Sequence, residues 1–181
     1  MSILPTFKTD RLILREINLE DASSIFETYA QNPNVAQYVS WYPHQSVEDT
    51  KKVIQNLFLK GYKDNVPGPW GIILKEKPDQ VIGTVGCLWS QQGNSILELG
   101  YALAEEYWGQ GITAEACRSI LPYVFETYKP AKIIACYNDH NPASGRVMEK
   151  VGMKFIHRCE EVRKDKLVTM IYYSLQNVDL K

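Results

Sequence analysis

Two glycines one residue apart, at the start of a helical pattern, form the stretch of this sequence best suited to bind a ligand. They lie in Gly109–Ala114, GQGITA, directly after Tyr107-Trp108. The first turn of a helix attracts anions through its unpaired N–H groups and its dipole, and glycines let phosphate oxygens approach those groups closely. The pattern therefore predicts phosphate binding, and a tight turn without a ligand is the alternative.

Three kinds of phosphate loop have to be weighed for this stretch. The Walker pattern GxxxxGK[ST] of nucleoside-triphosphate loops is absent from the sequence. The dinucleotide fingerprint GxGxxG/A is matched by Gly109, Gly111 and Ala114. However, AEEYW separates the preceding strand from the first glycine, and the acidic residue expected about 20 positions further on is missing from 129–134. An NAD-type site is therefore the second choice, after a coenzyme A (CoA) pyrophosphate loop.

Runs of apolar residues of strand length predict the sheet that must position this loop. The predicted strands lie at 11–17, 70–76, 81–89, 96–103, 132–137, 154–158 and 167–175. The run 132–137, KIIACY, is almost entirely apolar, which indicates a place inside the sheet. The charged run EEVRKDK at 160–166 is interpreted as a solvated hairpin connection.

Four helices are predicted from capping residues that precede apolar residues at helical spacing. Asn18 caps the first helix, which ends at Asn32-Pro33, and Ser46 caps the second. The third runs over Ala114–Tyr128, after the glycine pair, and the fourth begins at Asn141-Pro142. This order of strands and helices predicts a mixed α+β domain around one sheet, and 181 residues suit a single domain.

The composition argues against several classes of protein. Hydrophobic residues make up 45% and charged residues 23%, as in ordinary globular proteins. A net charge of −1 offers no basic surface for nucleic acid or an anionic membrane, so neither partner is expected. The N-terminal residues lack the pattern of a signal peptide. Because Cys87, Cys117, Cys136 and Cys159 form no CxxC pair, we expect reduced thiols, no metal site and a cytoplasmic protein.

Four segments together resemble a known enzyme family. They are TDRLILREINLEDA at 9–22, VSWYPHQSVEDT at 39–50, ELGYALAEEYWGQGITAEA at 98–116 and NDHNPASGRVMEKVGMKF at 138–155. In this order they are similar to the GCN5-related N-acetyltransferases (GNAT), and closest to the branch that includes the ribosomal-protein N-terminal acetyltransferases. The resemblance runs from Thr9 to Leu175 and implies one N-acetyltransferase domain over 1–181. The implied fold is a mixed, mostly antiparallel sheet, flanked by helices, whose central strand pair splays apart.

The resemblance implies acetyl-CoA as cosubstrate. The pyrophosphate motif of the family, Q/R-x-x-G-x-G/A, aligns with Trp108, Gly109, Gln110, Gly111, Ile112 and Thr113, and Ala114 follows. Thr113 departs from the motif, although its hydroxyl could donate a hydrogen bond to a phosphate. The pantetheine arm is expected to bond to the main chain of Tyr101, Ala102 and Leu103, as an added strand would. Asn141 matches the pantetheine-contacting Asn, although a plain helix cap explains it equally well.

The resemblance also implies two catalytic side chains. Acetyl transfer to an amine needs a base for the ammonium proton, donors for the oxyanion and an acid for the leaving thiolate. Glu98, on the strand before the splay, is the candidate base, and Ser144 is the candidate acid and a further CoA contact. The backbone N–H near Ala102 or Leu103 is the candidate oxyanion donor. An outward-facing Glu98 and a solvated Ser144 are the simpler alternatives, and strand parity decides the first of them.

Aromatic residues between the first two helices are candidates for the acceptor site. The resemblance places Trp41, Tyr42 and His44 at the acceptor wall, although aromatics in such a segment also serve as core residues. A competing hypothesis is a Ser-His-Asp or Cys-His triad that uses His44, His140 or His157. The sequence lacks the G-x-S-x-G elbow that would support it.

The predicted activity is transfer of an acetyl group from acetyl-CoA to a primary amine, by direct attack with general-base assistance. A protein N-terminus is among the candidate acceptors. A CoA-binding sensor or scaffold without turnover, and the NAD-type enzyme, stay open as alternatives. The oligomeric state, a homodimer included, is left open by the sequence.

Overall fold

An eight-stranded sheet forms the centre of the computed structural model, which describes residues 3–91, 93 and 95–179. Its strands are β1 Phe7–Lys8, β2 Leu12–Glu16, β3 Trp70–Leu74, β4 Val81–Trp89, β5 Ile96–Leu103, β6 Lys132–Asn138, β7 Lys154–Arg163 and β8 Lys166–Leu175. Their order in the sheet is β1-β2-β3-β4-β5-β6-β8-β7. The β5–β6 pair is parallel and its neighbours in the sheet are antiparallel. This confirms the predicted mixed, mostly antiparallel sheet of an α+β fold.

The first two predicted helices are more interrupted than their sequence patterns predict, whereas the helix after the glycine pair is continuous. The helices are α1 Ala22–Ile25, continued by the π-helical turn Phe26–Ala30; α2 Pro33–Ala36; α3 Val47–Val53, continued by the π-helical turn Ile54–Phe58 into α4 Leu59–Lys63; α5 Ile112–Tyr128; and α6 Pro142–Lys150. Short 3-10 turns lie at Leu19–Asp21, Glu105–Tyr107 and Asn177–Asp179. Two of the predicted caps are confirmed: the Asn18 side chain accepts from the Glu20 and Asp21 N–H groups, and Ser46 accepts from the Asp49 N–H.

Two features near the beginning of the chain differ from the prediction. Asn32-Pro33 does not only end a helix, because the Asn32 side chain accepts from the Asn34 N–H and caps α2. Strand β1 was absent from the predicted elements and pairs with β2, with Phe7 opposite Leu14. A strand of two residues is too short to show an alternating pattern.

The prediction that 160–166 is a solvated connection is wrong. Strand β7 extends to Arg163 and β8 begins at Lys166, so the turn consists of Lys164 and Asp165. Their φ angles, 50° and 61°, are those of the tight turn that joins twisted antiparallel strands. Lys164 is also anchored to the protein, because its Nζ donates to the carbonyl oxygens of Ala36 and Trp41 at 2.6 Å each.

The central strands β5 and β6 separate after three paired residues. Residues 96–98 of β5 lie opposite 132–134 of β6, and the pairing ends at Glu98. Further along, β5 continues against β4, and β6 continues against β8. Leu97 and Ile133 are completely buried on either side of the junction, together with Ile120 of α5. Burial of such side chains stabilises the fold by about 1.5–3 kcal/mol each, so the gap opens from a rigid base.

Candidate active site

The two glycines of the loop both adopt left-handed backbone conformations. Their φ angles are +76° at Gly109 and +77° at Gly111. A Cβ would meet nothing within 4 Å at Gly109, and at Gly111 it would meet the Arg11 guanidinium at 3.8 Å. The backbone conformation therefore favours glycine at these positions, and crowding does not.

The N–H groups at the start of α5 are available to a ligand. The bond from the Glu115 N–H to the Gly111 carbonyl, at 3.1 Å, is the first of the helix. Backbone partners for the N–H groups of 109–114 are absent from the part of the chain that the structure describes. Helix α5 begins at Ile112, two residues before the predicted Ala114, because Gly111 occupies the capping position. The loop therefore offers a row of donors at the positive end of a helix dipole.

Side chains of the loop fix its shape from within. The Trp108 indole N–H donates to the Leu103 carbonyl at 2.8 Å, and the Gln110 side-chain amide donates to the Glu106 carbonyl at 3.0 Å. Thr113 lies in the first turn of α5 and is 8% exposed, so most of its surface packs against the protein. The hydrogen bond from its hydroxyl to a phosphate stays a prediction.

The hydrogen-bond ladder decides which main-chain groups of β5 face the gap. The Ala104 N–H donates to the Ile82 carbonyl, and the Ser90 N–H donates to the Ile96 carbonyl. Because the register between β4 and β5 is uninterrupted, the even-numbered residues of β5 direct their N–H and C=O groups toward β4. The odd-numbered residues direct theirs toward the gap.

This ladder corrects the role predicted for Ala102. Its main chain pairs with Thr84 of β4, so its N–H is not available as an oxyanion donor or as a contact for pantetheine. The main-chain groups beside the gap are those of Leu99, Tyr101 and Leu103. Leu103 keeps its N–H for a ligand, whereas its carbonyl already accepts from Trp108.

A pair of hydroxyl groups bridges β5 and α6 beside the gap. Tyr101 Oη lies 2.9 Å from Ser144 Oγ and donates to the Ser144 carbonyl at 3.0 Å. Burial raises the pKa of Tyr101 above its ordinary value, so the phenol stays protonated. Gly145 lets α6 approach β6 closely, because a Cβ there would lie 2.5 Å from the Tyr137 ring. Ser144 is therefore held in a defined position and is not simply solvated.

Asn141 occupies the capping position of α6 but does not act as a cap. Its side chain makes no capping hydrogen bond, and its φ and ψ angles are −117° and 64°. The main chain closes the turn instead, through the Ser144 N–H and the Asn141 carbonyl at 3.1 Å. The Asn141 amide is thus not used by the helix, and its contact with pantetheine stays a prediction.

Glu98 lies on the opposite face of β5 from Tyr101, because side chains alternate along a strand. The carboxylate lines a pocket of about 500 Å³ between β4, β5 and the helical segment α3–α4. Glu98 Oε1 lies 3.8 Å from Cys136 Sγ of β6. Burial and the nearby Glu98 charge raise the pKa of Cys136 to about 11, so this thiol is protonated at neutral pH. The orientation of Glu98 is therefore toward a pocket, and its role as a base stays a prediction.

The lining of this pocket is mainly apolar. The lining residues are Ser40, Asn56, Leu57, Phe58, Lys60, Gly61, Asp64, Val66, Gly68, Pro69, Thr84, Gly86, Cys87, Leu88, Glu98, Leu99 and Gly100. A larger hollow of about 670 Å³ is lined by Glu27, Asp79, Glu105 and Glu106 among others. Its four carboxylates oppose an anionic cofactor, and its lining residues do not include those of β5 beside the gap, whereas the pocket at Glu98 includes them.

The comparison with known proteins gives the family. The model of the acetyltransferase (GNAT) domain matches residues 11–154. This chain belongs to the GNAT family. An uncharacterized N-acetyltransferase, p20, of Bacillus licheniformis is 30% identical to this GNAT chain over 177 residues, with 95% of the chain and 96% of the relative covered.

Ribosomal-protein acetyltransferases are also similar to this GNAT chain. A ribosomal-protein-serine acetyltransferase of Escherichia coli K12 is 29% identical over 125 residues, with 67% of the chain and 63% of the relative covered. The solved structure of RimL, a ribosomal L7/L12 α-N-protein acetyltransferase in complex with coenzyme A, aligns with a TM-score of 0.82 at 16% identity. The alignment covers 95% of this chain and 98% of that one, and it shows a common fold.

The three predicted acceptor-wall residues of the GNAT chain are not among the residues that line the pocket; Ser40 is the lining residue from their segment. Trp41 is half-buried, with its ring 6.4 Å from Tyr29 and 5.6 Å from His44. Tyr42 is 63% exposed and lies below Lys164 Nζ, which is 4.8 Å from the ring centre. The structure therefore brings this segment to the β7–β8 turn, and contact of its aromatics with the acceptor stays a prediction.

The histidines of the GNAT chain do not form a catalytic triad. His44 Nδ1 lies 2.8 Å from Thr50 Oγ1, and burial lowers the pKa of His44 although Asp49 opposes this. His140 pairs with Asp139 on the surface, and His157 stacks on Tyr172. Within 3–91, 93 and 95–179, contacts from these rings to a serine or cysteine side chain are absent.

Sequence reasoning missed several residues that hold the site of this GNAT enzyme. Thr9 and Arg11 contact Glu115 in the first turn of α5, more than 100 positions away. Lys164 contacts Trp41 across 123 positions. No local pattern relates residues so far apart. The segment TDRL contributed to the family resemblance, but nothing in it indicated a contact with Glu115.

The remaining observations concern the cysteines, membrane-spanning helices and metal ligands. The four cysteines are free, and Cys87 and Cys117 are buried. In the described ranges, a helix of the length and apolarity needed to cross a bilayer is absent. A group of three or more side chains suited to a metal ion is likewise absent from these ranges.

Proposed function

We propose that this GNAT enzyme transfers the acetyl group of acetyl-CoA to the α-amine of a protein N-terminus. The observation that carries the proposal is the position of Glu98, where β5 and β6 separate, beside a pocket of about 500 Å³. A carboxylate at that point can take a proton from an amine that enters from the pocket. The acetyl thioester would reach the same point from the gap.

The cofactor half of the proposal rests on the loop and the gap. The N–H groups of 109–114 suit a pyrophosphate, and the odd-numbered main-chain groups of β5 suit the amide groups of pantetheine. Similarity to a protein solved in complex with coenzyme A supports this assignment. Bound acetyl-CoA supplies the acetyl thioester, and the Leu103 N–H is the candidate donor to the oxyanion.

The acceptor half rests on the energetics of deprotonation and on relatives. An α-amine with a pKa near 8 is about 10% neutral at pH 7, whereas a lysine amine near 10.4 is about 0.04% neutral. A single, half-buried carboxylate such as Glu98 therefore suits an α-amine better. The structural neighbour RimL is named a ribosomal L7/L12 α-N-protein acetyltransferase, which supports a protein N-terminus as the acceptor.

The acid would act on the other face of β5. Collapse of the tetrahedral intermediate releases the CoA thiolate, which needs a proton from a nearby acid. Ser144 Oγ is the candidate donor, and a proton from solvent would restore its hydroxyl after the transfer. Tyr101 Oη, 2.9 Å away, holds that hydroxyl in position. Glu98 and the hydroxyl pair therefore divide base and acid between the two faces of one strand.

The experiment is release of free CoA thiol from acetyl-CoA over a panel of amines. The panel contains peptides with a free N-terminus, the same peptides with a blocked α-amine and a single free lysine, and small polyamines. Turnover with the first group alone is expected, and turnover confined to lysine or polyamines contradicts the proposed acceptor.

A thermal-shift comparison separates the remaining alternatives. Acetyl-CoA should raise the unfolding temperature, and NAD at the same concentration should not. Stabilisation by acetyl-CoA without turnover on any amine of the panel would favour the sensor or scaffold.

A further inference from the structure

The first turn of α5 carries a negative charge at the place where an anion has to bind. Glu115 lies three residues after Ile112, which begins the helix, and its N–H bonds to the Gly111 carbonyl. A carboxylate there interacts favourably with the helix dipole, but it repels any other anion near the same N–H groups. A loop that binds a pyrophosphate therefore has to neutralise Glu115.

The segment before β2 supplies this neutralisation. Arg11 Nε donates to Glu115 Oε2 at 2.8 Å, and Arg11 Nη2 lies 2.7 Å from the same oxygen. The Thr9 hydroxyl donates to Glu115 Oε1. Burial would raise the pKa of Glu115, but the hydrogen bonds from Thr9 and Arg11 and the Arg11 charge outweigh it, and the pKa lies below its ordinary value. At neutral pH the pair is therefore a carboxylate against a guanidinium.

Arg11 also contacts the loop itself. Its Nη1 donates to the Gln110 carbonyl at 3.0 Å, and its Nη2 lies 3.8 Å from the position of a Cβ on Gly111. A free carbonyl oxygen at this place would repel a phosphate, and here it faces a cation. Thr9 ties the arrangement to the sheet, because its hydroxyl accepts from the Leu12 N–H at 2.9 Å.

We propose that Arg11 is a positioning residue for the cofactor. Its guanidinium neutralises the Glu115 carboxylate and binds the Gln110 carbonyl oxygen in the pyrophosphate loop. The loop can then present its N–H groups to an anion without a competing negative charge. This inference rests on the proposed function, because it takes CoA as the ligand of the loop. It assigns Arg11 to the pair with Glu115 and not to the phosphates.

The test is the affinity for CoA, by calorimetry at constant ionic strength, of Arg11→Met, Glu115→Gln and the double variant. An unpaired carboxylate beside the loop should weaken binding about tenfold in Arg11→Met. Glu115→Gln should bind within about threefold of the wild type or more tightly, and the double variant should regain the wild-type affinity. Lys8→Met removes an exposed cation from β1 and serves as the matched control, with unchanged affinity expected.

Two results would overturn the inference. Folded Glu115→Gln that binds CoA much more weakly than the wild type would mean that the pair acts as a structural brace. A double variant as weak as Arg11→Met would mean that Arg11 binds the phosphates itself. Thermal unfolding identifies any variant that does not fold. If Arg11→Met does not fold, the CoA affinity of Glu115→Gln still distinguishes charge compensation from a structural brace. A wild type that binds no CoA overturns the proposed function too, whereas the two results above leave that function intact.

Discussion

The two halves of the candidate site are built in different ways. The pyrophosphate loop of the cofactor half is one continuous stretch, 108–114, whose shape follows from two glycines with positive φ and from the start of α5. The acceptor half is assembled from four separate parts of the chain: the segment before α3, the helices α3–α4, strands β4 and β5, and the turn between β7 and β8. Local backbone conformation thus defines one half, and tertiary contacts define the other.

The two halves also differ in charge. The loop carries a compensated pair, Arg11 and Glu115, and a row of N–H groups. The pocket is mainly apolar, with Glu98 near the gap. An anion is therefore favoured on one side of β5 and an amine with apolar surroundings on the other. If this division is correct, substitutions in one half should change the parameters of one substrate and leave those of the other unchanged.

The largest expected effect belongs to the acceptor half. Glu98→Gln keeps the shape of the side chain but removes the base, so kcat should fall by about 10²–10⁴-fold. The affinity for CoA should be unchanged, because the carboxylate lies on the face of β5 that lines the pocket. Steady-state kinetics with a peptide acceptor, together with calorimetry for CoA, measures both quantities.

Glu160→Gln is the control for this variant, because Glu160 is exposed on β7. It should behave as the wild type in both measurements. Glu98→Gln with nearly full kcat would show that another group, or solvent, takes the proton.

The second effect belongs to the cofactor half. Gly111→Val places a β-branched residue at φ +77°, which costs about 1–3 kcal/mol of strain if the conformation is kept. The loop should move to relieve this strain, and CoA should bind at least about tenfold more weakly. Calorimetry gives the affinity, and the KM for the acceptor at saturating acetyl-CoA should stay the same.

Gly61→Ala is the matched glycine variant of the other half. A Cβ at Gly61 would meet Val66 at an ordinary contact distance of 3.6 Å, within the pocket lining. It should leave the affinity for CoA unchanged and alter acceptor binding only. Equal loss of CoA affinity in both glycine variants would mean that the halves are not independent.

This difference explains how much of the molecule the sequence predicts. The strands from β3 to β6 and the caps Asn18 and Ser46 are encoded locally and were predictable from alternation and capping. The loop was predictable as a glycine turn before a helix, and its binding of an anion stays a prediction. The splay is a property of the family, which the resemblance supplied.

The remainder depends on contacts that no local pattern records. Lys164 reads as one charge in a charged run, yet its Nζ bonds to Ala36 and Trp41. Nothing in the sequence distinguishes the main chain of Ala102 from that of its neighbours. Its pairing with β4 shows that its N–H and C=O groups point away from the gap. Arg11 reads as the polar residue that opens a strand, and its partner lies in α5. Such assignments need the tertiary structure.

The third effect tests the contact that closes the acceptor half. Lys164→Met keeps the aliphatic part of the side chain but removes two hydrogen bonds from a charged donor. Such bonds contribute about 1.5–3 kcal/mol each, so the segment that contains Trp41 should become less ordered. The KM for the acceptor should rise about threefold to tenfold. Acetyl-CoA binding should not change.

Lys166→Met, at the exposed beginning of β8, is the control on the same hairpin. Its KM for the acceptor should equal that of the wild type. An equal rise in both variants would point to a general effect of charge. A change in CoA affinity would show that the hairpin affects the cofactor half, contrary to the division between the two halves.

The smallest effect asks whether the Arg11–Glu115 pair exists before the cofactor binds. The pKa of Glu115 lies below its ordinary value of 4.5 in the folded protein, because hydrogen bonds from Thr9 and Arg11 outweigh the effect of burial. A carboxyl with a lowered folded pKa stabilises the fold fully above pH 4.5, and this contribution disappears as the pH falls through the folded pKa.

The Arg11 side chain is 46% exposed, so we expect the pair to contribute about 0.2–1 kcal/mol to the free energy of unfolding. Urea unfolding without CoA should therefore show Glu115→Gln less stable than the wild type at pH 7, with a difference that shrinks as the pH falls below 4.5, while Glu126→Gln, exposed on α5, matches the wild type throughout. A deficit that stays constant below pH 4.5 would trace to packing and not to charge, whereas its decline would show that the cofactor half is organised electrostatically before any anion arrives.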